Sequence, residues 1–225
     1  IGKLKNEAAA SETNAPKVES KFRATGFMID VNNRYLVTNA HVIREANHQL
    51  VVENGEGNQY QAEVIYTKPE HDLAILRIND PNFKTLSPIP FSLKKEEADL
   101  GETVFTLGFP KQEIVYSEGY LSALNGYDMD PVFYQLNTLA KDGHSGSPVL
   151  TKQGELIGII SSKEENGEGV AFAIKSKYLH DAIQELKLSK DYPAAQIQNS
   201  TILKRYDRKA QIKKVQDYIF MIKGN

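Results

Sequence analysis

From Phe22 to Ile174 the chain is a succession of short apolar runs, each of strand length and each bounded by Gly, Asn, Asp or Pro. They are Thr25 to Val31, Tyr35 to Thr38, Leu50 to Glu53, Tyr60 to Tyr66, Leu73 to Ile78, Thr103 to Leu107, Ile114 to Tyr116, Val132 to Leu136, Leu156 to Ser161 and Val170 to Ile174. Most contain Val, Ile, Tyr, Phe or Thr, the residues that fit a pleated surface. Ten or more strands at such close spacing predict an all-β body, either a sandwich or closed barrels. The acidic, proline-containing stretch from Ser87 to Gly101 divides the strands into two halves of about six each.

The segments outside this body read differently. Residues 1–20 (IGKLKNEAAASETNAPKVES) show little apolar periodicity and predict a flexible linker. Strands then occupy 21–95 and 96–176. Over 177–190, Leu179, Ile183 and Leu186 fall on one face of a packing helix. In the last stretch, 191–225, Ile202, Tyr206, Ile212, Val215, Ile219 and Ile222 recur at near-helical spacing among Lys204, Arg205, Arg208, Lys209, Lys213 and Lys214. This predicts a basic amphipathic helical tail, with 200–222 offering a surface for a protein partner or for self-association.

Composition removes several functions. Twenty-seven basic and twenty-nine acidic side chains leave a formal charge of -2, which is no global footprint for nucleic acid or an anionic membrane. There is no cysteine, so disulfides, thiolate metal sites and cysteine nucleophiles are excluded. No apolar run approaches the roughly 18–20 residues of a membrane-spanning helix. The chain opens at Ile1 rather than Met, as it would after removal of a signal peptide or anchor.

Three short segments carry chemistry. Gly143-His144-Ser145-Gly146-Ser147-Pro148 places a serine between glycines that permit a tight turn and close substrate approach. Such a turn can aim the amides of Gly143 and Ser145 at one point, as an oxyanion hole requires. A serine hydroxyl needs a base and a group to orient that base. Thr38-Asn39-Ala40-His41-Val42 and His71-Asp72-Leu73-Ala74-Ile75-Leu76 supply them, in the order His41, Asp72, Ser145. His71 and His144 adjoin site residues, but neighbouring side chains diverge, and His48 and His180 read as ordinary core or surface histidines.

These segments resemble the trypsin-like serine peptidase superfamily from about Ala24 to Leu179, and within it the bacterial HtrA/Deg-type protease domains. Ser117-Glu118-Gly119-Tyr120-Leu121-Ser122-Ala123, Gly158-Ile159-Ile160 and Gly169-Val170-Ala171-Phe172-Ala173-Ile174 add to the likeness. Ser-Gly-Ser-Pro at 145–148 is similar to glutamyl endopeptidases. The resemblance implies two six-stranded antiparallel β-barrels of chymotrypsin type followed by C-terminal helices, the first barrel carrying His41 and Asp72 and the second Ser145. It implies a serine endopeptidase that acts on polypeptides through an acyl-enzyme, uses no cofactor or metal, and works outside the cytoplasm of a bacterium, in the periplasm or secreted.

It also implies a substrate pocket walled by Leu139, Ala140, Lys141 and Asp142, by Ser161, Ser162 and Lys163, and by Gly169. Leu139 stands where trypsin-like specificity would place an aspartate, so an apolar or, through Lys163, an acidic residue is expected ahead of Lys or Arg. His144 cannot supply the buried carboxylate that pairs with a released N-terminus in zymogen-activated relatives, so Ile1-Gly2 is not expected to insert. The HtrA-like pattern stops near Leu186. The alternative is a catalytically latent trypsin-fold module that binds or senses peptides under control of its loops, tail or a partner. An α/β-hydrolase is disfavoured, because its serine comes first in chain order and precedes a helix.

Overall fold

The computed structural model describes residues 22–45, 50–140, 142–161 and 169–224. The expected N-terminal linker and His48 lie outside them. The chain begins with β1 (Phe22–Asp30) and β2 (Tyr35–Asn39), then a short helix α1 (Ala40–Glu45), then β3 (Leu50–Glu53), β4 (Gln59–Lys68) and β5 (Leu73–Ile78). A connection leads through β6 (Ser92–Leu93) to β7 (Thr103–Gly108), β8 (Val115–Ala123), β9 (Phe133–Asn137), β10 (Pro148–Thr151), β11 (Glu155–Ser161) and β12 (Val170–Lys175). Helix α2 (Ser176–Ser189), helix α3 (Arg208–Val215) and β13 (Ile219–Gly224) complete the described chain.

Two closed antiparallel six-stranded barrels result, the chymotrypsin-like architecture. The first runs β1-β13-β3-β4-β5-β2 and closes through β2 on β1. The second runs β10-β7-β8-β9-β12-β11 and closes through β11 on β10, with β6 added parallel to β11. Closure removes the exposed strand edges that would otherwise pair with other chains.

Burial follows strand position. On β8 the side chains of Tyr116, Glu118 and Tyr120 alternate outward, as one solvated face requires. Strands β2 and β10 are buried on both faces, because one lines a barrel and the other meets the facing barrel or its neighbours. The second barrel has its own interior of Val104, Leu121, Tyr134, Leu136, Val149 and Ile157. The larger apolar cluster joins the first barrel to Phe105, Leu107, Ile159 and Phe172 from the second, to Leu179, Ile183 and Leu186 of α2, and to the C-terminal segment.

That segment corrects the expectation of a helical tail. In this segment α-helix is confined to Arg208–Val215, with single 3-10 turns at Leu203–Arg205 and Gln216–Tyr218; Asp207 starts the α-helix, its carboxylate accepting from the Ala210 amide at 2.9 Å. β13 then inserts between β1 and β3, with Thr25 opposite Met221 and Val52 opposite Ile222. Ile219, Phe220, Met221 and Ile222 are all buried, so the strand shows no alternation, and its isoleucines fall by coincidence on the helical spacing of Ile212 and Val215. The 21–95 unit is therefore not a barrel by itself, and Ser92–Leu93 within it pair with the second sheet.

The approach to β13 is also tied down. Tyr35 donates to the Pro193 carbonyl at 2.8 Å, and the Ile202 amide donates to Pro90 at 3.0 Å. Arg208 lies 3.9 Å over the Phe105 ring and pairs with Glu118 at 3.1 Å. Val215, Ile219 and Ile222, an apolar stripe expected to dock on the body or on a partner, are buried within this chain.

Candidate active site

Asp72 sits where a short helical turn, Pro69–His71, meets β5. It takes the left-handed conformation (φ 52°, ψ 36°), which Asp tolerates better than most residues, and its amide closes the turn on Pro69 at 3.1 Å. Its main-chain carbonyl accepts from Ala40 at 3.0 Å and from the Asn39 side-chain amide at 3.3 Å. The loop before β5 is thereby fastened to the end of β2, where α1 begins.

The carboxylate of Asp72 is almost fully engaged. Oδ1 accepts the His41 main-chain amide at 2.9 Å, one of the N–H groups that the first turn of α1 leaves unpaired. His41 Nδ1 lies 2.9 Å from Oδ2 and 3.1 Å from Oδ1, and the Ser161 hydroxyl donates to Oδ2 at 2.9 Å. Burial by itself pushes the carboxyl up. The His41 hydrogen bond, its charge, its amide and the Ser161 hydroxyl together outweigh this and hold Asp72 below the usual aspartate range. An ionised acceptor at Nδ1 places the ring proton there and leaves Nε2 with a lone pair for chemistry.

Ser145 lies on the loop that leads into β10. The Ser147 amide donates to the His144 carbonyl at 2.9 Å, closing a four-residue turn around Ser145 and Gly146. Gly146 takes φ +87°, a value at the third turn position that favours glycine. Its amide donates to Ile160 at 2.8 Å and the Ile160 amide donates to Ser147 at 2.8 Å, so the turn is held one residue from Ser161. On its other side the Thr25 amide donates to the Ser145 carbonyl at 2.8 Å. Thus β11 links the serine turn to the Asp72 carboxylate, and Thr25 on β1 links it to β2, the strand entering α1.

A methyl group at Gly146 would lie 2.0 Å from the Thr25 carbonyl oxygen and 2.5 Å from Thr38 Oγ1. Gly146→Ala is therefore expected to cost about 2–5 kcal/mol, from a left-handed alanine plus overpacking against backbone, and to displace Ser145. Urea denaturation measures it; a loss below about 1 kcal/mol would show that the barrels yield at this point.

The trypsin-like peptidase domain family matches this chain over residues 24–159, more than half its length. The chain belongs to that family. The described chain continues past the matched region through β12, α2, α3 and β13. A protein of Halomonas elongata named "Probable periplasmic serine endoprotease DegP-like" is 29% identical over 176 residues, covering 75% of this chain and 36% of the relative. A Brucella suis protein of the same name is 30% identical over 174 residues, covering 73% and 33%. The crystal structure of the serine endoprotease from Yersinia pestis superposes with a TM-score of 0.62 at 25% identity, covering 76% of this chain and 60% of that one. This chain spans about a third of the length of these curated relatives.

The other anticipated residues of this trypsin-like peptidase domain are placed as follows. Gly143 takes φ +90°, and a Cβ there would meet Pro110 Cα at 2.6 Å, so only glycine fits. Leu139 is 63% exposed and points to solvent, while Ala140 is half-buried against the second barrel's interior. Ser161, expected in the pocket wall, is buried and donates its hydroxyl to Asp72. Gly169 (φ +86°) has open space where a side chain would be. Lys141, Ser162 and Lys163 lie outside the described residues.

His71 packs against Tyr178 of α2, the rings tilted by 47° with centroids 4.3 Å apart. His144 is buried within the turn, and His180 lies on α2 beside Asp181. Among the described residues no three His, Asp or Glu side chains gather to hold a metal ion, and no helix is long and apolar enough to cross a membrane.

Proposed function

We propose that this trypsin-like peptidase domain is a serine endopeptidase with Ser145 as nucleophile, His41 as general base and Asp72 as the group that orients it. The observation that carries the reading is the Asp72 carboxylate, bound at once by His41 Nδ1, the His41 amide and the Ser161 hydroxyl. That set holds the imidazole in one tautomer and orientation, the condition for Nε2 to accept the Ser145 proton.

In acylation, Ser145 Oγ bonds to the scissile carbonyl carbon while its proton passes to His41 Nε2. The amides of Gly143 and Ser145 are assigned to the resulting oxyanion. The C–N bond then breaks as His41 returns the proton to the departing amine. Water repeats the sequence on the ester and regenerates Ser145. Every proton is conserved between His41, substrate and water.

The substrate class is polypeptide, with an apolar or acidic residue before the cleaved bond preferred over Lys or Arg. The periplasmic naming of the relatives supports a site of action outside the cytoplasm. The test is labelling by a fluorophosphonate at pH 7–8, with Ser145→Ala as control, followed by cleavage profiling on a proteome-derived peptide library. The expected result is one label on Ser145, lost in the alanine variant. Folded wild-type protein that takes up no label would overturn the proposal.

A further inference from the structure

Thr25 stands at the junction of the two barrels and is fully buried. It lies on β1, in the first barrel, yet three of its hydrogen bonds reach the second. Its hydroxyl donates to the Gly143 carbonyl at 2.7 Å and accepts from the Phe109 amide, just beyond β7, at 2.9 Å. Its own amide donates to the Ser145 carbonyl at 2.8 Å, and its carbonyl accepts from Thr38 Oγ1 at 2.8 Å. One residue thus holds both ends of the tripeptide Gly143 to Ser145 and, through Thr38, the strand that delivers His41.

The placement bears on peptide planes. Holding the Gly143 carbonyl fixes the plane between Gly143 and His144; holding the Ser145 carbonyl fixes the plane between Ser145 and Gly146. Between them lies the plane that carries the Ser145 N–H, one of the two donors assigned to the oxyanion. With both flanking planes held, that N–H has little freedom to turn away. The hydroxyl is directional: it has one proton, which goes to Gly143, and a lone pair taken by Phe109. A side chain of the same shape without it would pack equally well but would leave two buried main-chain groups unpaired.

We propose that Thr25 is a positioning residue for the oxyanion turn, its hydroxyl fixing the Gly143 carbonyl so that the turn's amides converge. This rests on the serine endopeptidase reading above. Thr25 touches no reacting atom and acts through Gly143 and Ser145.

The experiment compares the full chain with Thr25→Ser, Thr25→Val and Thr25→Ala, using the fluorophosphonate labelling rate and steady-state cleavage of dye-labelled casein. Folding of each is checked by circular dichroism. Removing an oxyanion donor lowers kcat about 10²–10³-fold, so Thr25→Val is expected to lose roughly 10²-fold in kcat and in labelling rate, with KM within about threefold. Thr25→Ala carries the same test if the valine variant does not fold. Thr25→Ser keeps both hydroxyl bonds and is expected within about threefold of wild type.

Wild-type rates in a folded valine or alanine variant would overturn the inference while leaving the endopeptidase reading intact. So would a serine variant as slow as valine. If neither hydroxyl-less variant folds, the hydroxyl is structural and the inference also falls. Absence of labelling in the wild type itself would remove the endopeptidase reading instead.

Discussion

Deleting residues 219–225 is expected to abolish cooperative folding, not to trim a tail. β13 supplies one of the six strands of the first barrel and pairs on both sides, with β1 from Phe22↔Gly224 to Phe27↔Ile219 and with β3 from Met221↔Glu53 to Gly224↔Leu50. Its four large apolar side chains, Ile219 to Ile222, are each at most 1% exposed. At about 1.5–3 kcal/mol per buried side chain, they contribute roughly 6–12 kcal/mol, as much as the entire net stability of a typical domain. Removal would also leave β1 and β3 with unpaired edges that invite aggregation. Lys223 would no longer reach Glu53 on β3, 2.5 Å away.

The measurement is a urea or thermal transition of the truncated chain beside the full one. A synthetic peptide of residues 216–225 added in trans is expected to restore part of the transition, since strand pairing is supplied mainly by backbone and buried side chains. A truncated chain that unfolds cooperatively within about 2 kcal/mol of full length would refute the assignment of β13 as a barrel strand. Because Thr25 pairs with Met221, loss of β13 also loosens the strand that clamps the serine turn.

The second large effect is expected at Asp72. Three donors converge on its carboxylate: the His41 amide, His41 Nδ1–H and the Ser161 hydroxyl. Asp72→Asn keeps the shape but offers one acceptor oxygen and a donor NH₂. One way to avoid a donor facing a donor is for His41 to move its proton to Nε2, where it cannot take the serine proton. A fall in kcat of about 10⁴-fold at neutral pH is expected, with a much smaller change in KM. Fluorophosphonate labelling should slow in parallel. A loss under about tenfold would remove Asp72 from the proposed machinery.

The same carboxylate carries a pH dependence of stability. Its pKa is lower folded than unfolded, so its contribution is present above the unfolded value of about 3.9. It is lost as pH falls from there through the folded value. The stability difference between wild type and Asp72→Asn should therefore shrink below about pH 4 and be steady above pH 5 with respect to this group. An activity loss on acidification near neutrality would belong to another group.

Much of this was legible in the chain. The strand-length runs of Val, Ile, Phe and Thr anticipate β1 to β5, β7, β9, β11 and β12, because sheet propensity and bounding turn residues are local properties. Ile114 to Tyr116 marked only the start of β8, whose Ser117, Glu118 and Gly119 carry no strong signal. Pro148–Thr151, too short and too close to the serine turn, gave none for β10. His41, Asp72 and Ser145 were readable because their order and immediate neighbours form a local pattern.

The sequence by itself determined an all-β chain and an ordered set of chemically apt residues. Tertiary structure alone decided that Ile219–Gly224 is a strand of the first barrel, that the Ser161 hydroxyl binds the Asp72 carboxylate, and that Thr25 grips the serine turn. Each of these is a pairing between residues separated by 89 to about 200 positions. Periodicity reports which faces of one segment are apolar; it carries no term for which distant segment will cover them. That choice is made when closing the barrels leaves β1 and β3 needing a partner and the buried polar groups at their junction needing hydrogen bonds.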